Sequence, residues 1–169
     1  MSEKSRQGFT IIELLIVIAV SAMLMSLVIF YSRSGERQIL LLKEQARLIN
    51  AILRSKSLSV QTFFEDPSLC GYGVHLENRR YILFKDLAAD CSASDKIYSG
   101  AAEDIQVFKL EEQLKLISPN LTDVLFIPPD PITVLTPNQP SALITIALSA
   151  DQNSSVKIKI NNAGQVTTQ

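Results

Sequence analysis

Residues 7–18 read QGFTIIELLIVI, which places one carboxylate, that of Glu13, inside an otherwise apolar run. The run extends from residue 9 to residue 31. As a helix it would span roughly 34 Å, enough to cross a bilayer core of about 30 Å. An ionisable side chain in a membrane segment is costly and is usually retained for a function. Glu13 is therefore the first candidate functional residue.

Glu13 would lie near one end of such a helix, only about 6 Å from Phe9 along the axis. A carboxylate near the headgroups costs less than one at the bilayer centre, so a passive anchor is the alternative interpretation. A polar leader, residues 1–8, precedes the run, and Gly8 is its last residue. An ordinary secretory signal instead has its small-residue cleavage site after the apolar region.

This order of residues resembles the class III signal of type IV pilins and type II secretion pseudopilins. In that family a membrane aspartyl peptidase cuts between the Gly and the Phe and then methylates the new amine. The resemblance covers residues 1 to about 31 and implies cleavage between Gly8 and Phe9, N-methylation of Phe9, and Glu13 as the fifth mature residue. The cationic leader predicts a cytoplasmic N-terminus and a periplasmic or extracellular head in a single-pass inner-membrane protein.

The resemblance assigns Glu13 a role in assembly. Cleavage would create a charged amine on Phe9 in an apolar setting, and in a stack of offset helices the carboxylate of one subunit could pair with the amine of its neighbour. Such a pair specifies register more than it adds stability. The implied partners are the prepilin peptidase, other pilin or pseudopilin subunits, an inner-membrane assembly platform and membrane lipid.

Two positions depart from the pattern of many major pilins. Those pilins have a helix-bending proline where this chain has Phe30, and a glycine where it has Ala22. The first proline is Pro67, so no proline ring interrupts the apolar helix. This difference favours a minor, low-copy subunit. Residues 157–166 also resemble, more loosely, the last strands of H-type minor pseudopilins and their pilus counterparts.

The helix is predicted to continue over residues 32–64, with a weak point at Gly35, because glycine costs about 1 kcal/mol relative to alanine in a helix interior. Glu44 and the neighbouring cationic residues are assigned to other faces than the apolar one. Asp66-Pro67 is expected to end the helix. The apolar face, at steps of three and four, consists of Ile39, Leu42, Ala46, Ile49 and Leu53. We expect it to pack against a globular head; the alternative is helix–helix contact in a filament.

The rest of the chain is predicted to form strands and turns. Prolines at five positions make residues 123–140 an edge strand or a connection, because proline cannot donate to a ladder. The first two candidate strands form one hairpin and the last two full strands form another. Candidate strands are residues 72–76, 81–85, 105–110, 124–127, 143–148 and 156–160, with a short last strand from Val166.

These patterns predict an α+β fold in which a long N-terminal helix, its first half transmembrane, packs against an antiparallel β-sheet head. The same arrangement resembles the pilin architecture. The predicted segments are a leader (1–8), a transmembrane assembly half-helix (9–31), an amphipathic half-helix (32–64) and an extracytoplasmic β-rich head (65–169).

Two cysteines, Cys70 and Cys91, lie in the exported part. A bond between them would close a loop of about 22 residues and stabilise the fold by about 3 kcal/mol. Two free, buried thiols are the alternative. No metal is expected, because two cysteines without a nearby histidine fall short of four zinc ligands. Asp151, Gln152 and Asn153 could offer oxygens to calcium, but three are too few for its six to eight ligands.

The remaining features argue against nucleic acid and catalysis. The formal charge of −1 becomes −2 when Glu3, Lys4 and Arg6 leave with the leader, and the best basic run is Arg79-Arg80. His75 is the only histidine and is predicted to lie on a strand. No nucleophile elbow, phosphate loop or histidine pair occurs, so neither an enzyme nor a cofactor is expected.

Two classes of function remain. The first is a minor pilin or pseudopilin, assembled through its N-terminal helix into a type IV pilus or a type II secretion pseudopilus. The alternative is a single-pass, membrane-anchored binding module that uses the same helix only as an anchor.

Overall fold

The computed structural model describes residues 10–61 and 68–169, and for residues 29–34 only the backbone. The leader, the Gly8–Phe9 cleavage site, the Phe30 side chain and the Asp66-Pro67 helix stop lie outside the described residues and stay predictions. Backbone contacts divide the chain into two compact units, residues 1–38 and 39–169.

One α-helix, α1, extends over Ile11–Gln61 and contributes to both units. It continues through the predicted weak point at Gly35, where a built Cβ atom would meet nothing within 4 Å. The window Ile11–Val28 has a mean hydropathy of 2.7, so α1 is long and apolar enough to cross a membrane.

Nine antiparallel strands form two sheets in the described part of the second unit. The five-stranded sheet has the order β3-β2-β1-β5-β6 and the four-stranded sheet the order β4-β7-β8-β9. The strands are β1 (Leu69–Leu76), β2 (Arg80–Leu87), β3 (Asp104–Lys109), β4 (Leu114–Ile117), β5 (Asp123–Ile127), β6 (Ile132–Thr136), β7 (Ser141–Leu148), β8 (Ser155–Asn161) and β9 (Val166–Thr168).

The predicted α+β class is confirmed, and both predicted hairpins form, as β1–β2 and β7–β8. Within the proline-rich stretch β6 is an edge strand, as predicted, with prolines on both flanks. The same prediction is wrong for β5, which precedes the first proline and pairs with β1 and β6 as an interior strand. Sequence reasoning missed β4, because a four-residue strand with two inward-facing apolar residues, Leu114 and Leu116, gives little periodic signal.

The predicted packing face of α1 is wrong. Ile39, Leu42, Ala46 and Leu53, which we call the outer stripe, are exposed, and Ile49 is only partly buried. The face that packs against both sheets contains more polar residues and for that reason was not recognised. It consists of Leu41, Glu44, Gln45, Leu48, Ala51, Ile52, Ser55 and Ser59.

The polar groups on this buried face are all hydrogen-bonded, which removes most of the cost of burying them. The Tyr81 hydroxyl donates to Glu44 Oε1 at 3.2 Å, and Gln45 Nε2 donates to the Lys157 carbonyl at 3.0 Å. The two serine hydroxyls donate to carbonyls of α1 itself, at 2.8 Å each. Glu44 had been assigned to another face, so its place in the core is a second correction.

The five-stranded sheet has buried side chains on both faces. Its inner face joins the main core with α1, and its outer face carries a small second core formed by Ile82, Phe84 and Leu125. Two glycines of β1 make room for it, because a Cβ atom on Gly73 would lie 2.6 Å from the Phe84 ring and one on Gly71 would lie 3.1 Å from the Leu125 side chain.

Candidate assembly site

Thr10 and Glu13 form a capping box at the start of α1. The Thr10 N–H donates to Glu13 Oε2 at 2.9 Å, and the Thr10 hydroxyl donates to the same oxygen at 3.0 Å. In return, the Glu13 N–H donates to Thr10 Oγ1 at 3.3 Å. These bonds satisfy groups for which the first turn of a helix has no internal partner.

The capping box fixes the position of the negative charge. The Glu13 carboxylate turns back toward the helix N-terminus, where the helix dipole favours an anion. Phe9, the predicted site of the new amine, immediately precedes Thr10 in the chain. The structure therefore holds the carboxylate at the end of α1 at which that amine would be created.

Around Glu13, the apolar surface of α1 is left open by the rest of the chain. None of the residues in the window Ile11–Val28 is buried within the chain. A continuous apolar surface of this length is stable only in contact with lipid or with other apolar helices. Both environments match the predicted membrane and assembly roles of the segment.

In the second unit, Glu44 and its neighbours attach α1 to the five-stranded sheet. Glu44 is 1% exposed and lies 3.5 Å from Arg47 Nη1, while the Arg47 guanidinium lies over the Phe108 ring at 5.2 Å. Burial, and next the nearby Glu44 carboxylate, raise the pKa of the Tyr81 hydroxyl well above its usual range. Tyr81 therefore stays a neutral donor to Glu44, and this contact leaves the outer stripe directed away from the core.

Cys70 and Cys91 form a disulfide bond with a Cα–Cα distance of 5.0 Å. The bond attaches a short 3₁₀ turn, Cys91–Ala93, to β1. Farther along the connection between β2 and β3, Tyr98 packs against the small second core on the outer face of the sheet, which we call the outer core. Its ring stacks on the His75 ring, with the ring centres 4.7 Å apart. The disulfide thus helps to hold the segment between β2 and β3 over the outer face of the sheet.

His75 and Asp151 both have contacts that suit structural roles. His75 lies on β1, with Nδ1 2.8 Å from Asp123 Oδ1. Asp151 accepts hydrogen bonds from the Asn153 N–H and the Ser154 hydroxyl within the β7–β8 turn. Over residues 10–61 and 68–169, no group of three or more histidine, cysteine or acidic residues could hold a metal ion.

Sequence reasoning missed the capping box, although its signal is present as Thr10-Ile11-Ile12-Glu13, the Thr-x-x-Glu pattern that precedes an apolar run. The apolar run around Glu13 predicts a costly charge and gives no weight to local hydrogen bonds at the helix start. Glu13 therefore combines a structural contact, which the structure describes, with the assembly role predicted for it.

An apolar N-terminal helix with a carboxylate in its first turn, followed by a head of antiparallel sheets, is the architecture of pilin-like proteins. The prokaryotic N-terminal methylation motif matches residues 4–29. The motif and the fold confirm the resemblance to the pilin and pseudopilin family; the H-type subtype stays a prediction.

Solved structures of the type IV minor pilin FimU from Pseudomonas aeruginosa (strain PAO1) are similar to this chain. In one crystal form the identity is 12% and the TM-score 0.50, over 75% of this chain and 91% of FimU. In another form the values are 10% and 0.43, over 76% and 92%. The first likeness shows a shared fold. No curated protein matches the sequence.

Proposed function

We propose that the chain is a minor pilin or pseudopilin, processed after Gly8 and assembled through α1 into a type IV pilus or type II secretion pseudopilus. The observation that carries the proposal is the methylation motif over residues 4–29, joined to a helix whose apolar surface the chain does not cover. The similarity of the fold to the minor pilin FimU supports the minor class.

Processing is the first step of the proposed mechanism. A prepilin peptidase cuts between Gly8 and Phe9 and methylates the new amine, which keeps its charge. The amine then lies beside a helix start already occupied by the Thr10–Glu13 capping box. The leader stays on the cytoplasmic side and the head is periplasmic or extracellular, in agreement with the positive-inside rule.

Pairing between subunits is the second step. The Glu13 carboxylate of one subunit accepts a hydrogen bond from the charged Phe9 amine of an axially displaced neighbour. Apolar helices replace lipid around this ion pair. In this low-dielectric setting an unpaired charge is costly, so only registers that match amine to carboxylate are populated. The protein contributes no catalysis; it supplies a charge at a fixed height on the helix.

The outer stripe provides a second contact in this proposal. Ile39, Leu42, Ala46 and Leu53 are exposed although they have the spacing of a helix-packing seam. Since the head packs on the other side of α1, the outer stripe is available to a neighbouring subunit beyond the membrane. The exposure supports the second use predicted for this seam, helix–helix contact in a filament.

The experiment that tests the proposal is the N-terminal mass of the chain from cells with and without a prepilin peptidase. We expect a chain that begins with N-methylated Phe9 when the peptidase is present and an intact leader when it is absent. A chain that keeps Met1 in both strains would contradict processing and would favour the membrane-anchored binding module.

A further inference from the structure

Two segments of the head have the pattern Asn-x-Ser/Thr, the acceptor sequence for N-linked glycosylation, which requires a surface position in an exported chain. Residues 120–122 read Asn-Leu-Thr and residues 153–155 read Asn-Ser-Ser. Both lie within the unit formed by residues 39–169, and neither takes part in the proposed assembly mechanism. Their surroundings differ, and the difference decides which of the two an enzyme can reach.

The Asn120 motif is part of the core and of the sheet. Leu121, its central residue, is 2% exposed and belongs to the main core. The Thr122 hydroxyl, which an acceptor must present to the enzyme, already donates to the Thr136 carbonyl at 3.1 Å. The Thr122 N–H donates to the same carbonyl, and the Thr122 carbonyl accepts from the Leu76 N–H, at 2.8 Å each. An enzyme could bind this motif only after the sheet had opened.

The Asn153 motif lies in the turn between β7 and β8. The Asn153 side chain is exposed, and its amide bonds to no other group of the described chain. Ser155, the first residue of β8, is partly exposed and pairs with Ala147. The Ser154 carbonyl accepts from the Leu148 N–H at 3.1 Å. Such a strand end opens at little free-energy cost, so this motif is accessible to an enzyme.

Asp151 adds a second feature to this turn. It lies two residues before Asn153, a position at which bacterial oligosaccharyltransferases favour an acid, whereas Ser118 occupies that position before Asn120. The Asp151 carboxylate accepts from the Asn153 N–H at 3.0 Å and from the Ser154 hydroxyl at 2.7 Å. The acid, the asparagine and the hydroxyl-bearing serine of the motif are therefore adjacent on one short surface segment.

From these observations we infer that Asn153 is an acceptor for N-linked glycosylation and that Asn120 is not. The donor is a glycan carried on a polyprenyl diphosphate. The side-chain nitrogen of Asn153 bonds to the anomeric carbon of the glycan, and the bond from that carbon to the diphosphate oxygen breaks. Polyprenyl diphosphate leaves with the electron pair, and one amide proton passes to a base on the transferase. The inference rests on the proposed export of the head and not on filament assembly.

The test uses the full, folded chain in detergent micelles, a purified bacterial oligosaccharyltransferase and a polyprenyl-diphosphate-linked oligosaccharide. We expect one glycan per chain, found by mass spectrometry on the peptide that contains Asn153. Asn153→Gln should abolish the modification, whereas Asn120→Gln, the same change in the other motif, should leave it at the wild-type level. Because purified components are used, failure of the proposed export or assembly leaves this result readable.

Variants of Ser155 test the hydroxyl that the motif requires. Ser155→Ala should abolish the modification, and Ser155→Thr, which keeps a hydroxyl and suits a strand, should retain it. Ser154→Ala is the matched control, because it removes the neighbouring hydroxyl and leaves the motif intact. The inference is overturned by an unmodified Asn153, by a glycan on Asn120 instead, by full modification of Ser155→Ala, or by an equal loss in Ser154→Ala.

Discussion

Gly73 stands where three strands of the sheet meet and where any side chain would collide with its neighbours. A Cβ atom there would lie 2.6 Å from both the Phe84 ring and the Val124 carbonyl oxygen. The ring could shift only by disturbing the outer core, and the carbonyl belongs to the β1–β5 ladder. The glycine is thus explained by space on the sheet rather than by its backbone angles.

Gly73→Ala is expected to lower the free energy of unfolding by about 1–3 kcal/mol, the usual cost of overpacking. Gly35→Ala is the matched control, because the added methyl meets nothing within 4 Å and a helix interior favours alanine. Urea unfolding of both variants checks the prediction. Equal stability of the two variants would contradict the steric account.

Asp86 makes the stability of the β-rich head depend on pH. Burial, together with the nearby Glu103 and Asp95 carboxylates, raises the pKa of Asp86, although the Ser94 hydroxyl donates to it. A raised pKa means that the folded state binds this proton more tightly than the unfolded chain. The resulting stabilisation is complete below the ordinary pKa of about 3.9 and is lost as the pH rises through the raised value.

Asp86→Asn keeps an acceptor for Ser94 and has no charge to bury. We therefore expect the variant to be more stable than wild type at neutral pH and the difference to shrink as the pH falls toward about 3. Unfolding midpoints measured across this range check the prediction. A stability difference that is constant or grows on acidification would show that the charge of Asp86 is not responsible.

At the scale of the element, α1 carries two apolar faces with different uses. Leu48 is fully buried against the sheets, whereas Leu42, on the outer stripe, is 50% exposed. Leu48→Ala should cost about 2–5 kcal/mol of unfolding free energy. Leu42→Ala should change it by no more than about 0.5 kcal/mol. Chemical unfolding of this pair separates the packing face from the outer stripe.

Leu42→Ala also tests the proposed contact between the outer stripe and a neighbouring subunit. Leu42→Ala is expected to lower incorporation into filaments while leaving the stability of the monomer unchanged. Full incorporation of Leu42→Ala would remove the outer stripe from the assembly account, and a large loss of stability in that variant would contradict the described packing.

The sequence predicted the positions of the helix and strands better than it predicted which face of the helix is buried. The position of β8 follows from its alternation of apolar and polar residues, and that of β7 from a short, mainly apolar run bounded by a proline and a polar turn. The packing face of α1 could not be read in this way. Its burial depends on partners such as Tyr81 and the Lys157 carbonyl, which the fold brings to Glu44 and Gln45 from distant parts of the chain.

The candidate site shows a related limit. The unusual position of Glu13 and its neighbours Gly8 and Phe9 were evident from the sequence, and residues 4–29 match the methylation motif. The Thr-x-x-Glu pattern of the capping box is also present in the sequence. It is easily overlooked when Glu13 is considered only as a charge in a membrane segment. Only the distances from Thr10 to Glu13 show that the same group serves the helix start.

At the scale of the whole molecule, the chain couples an uncovered apolar helix to a head that folds around the second half of that helix. The first unit leaves its apolar surface for lipid or neighbours, while the second buries a core on both sides of its larger sheet. In the proposed filament, the charge of Glu13 sets the register between subunits, and the outer stripe adds contact beyond the membrane.

The central claim is that assembly requires the charge of Glu13 and not only its cap. Glu13→Gln removes the charge but keeps a side-chain oxygen that can accept from the Thr10 N–H, as glutamine does in a capping box. Thr10→Ala is the complementary variant, because it keeps the charge and removes the capping hydroxyl, which costs about 1 kcal/mol.

The most direct measurement is the amount of each variant in purified filaments. It is expressed relative to the amount of processed variant, beginning with N-methylated Phe9, in the membrane of the same cells. We predict that Glu13→Gln is inserted and processed but absent from filaments, whereas Thr10→Ala is incorporated. Incorporation of processed Glu13→Gln at the wild-type level would contradict the account.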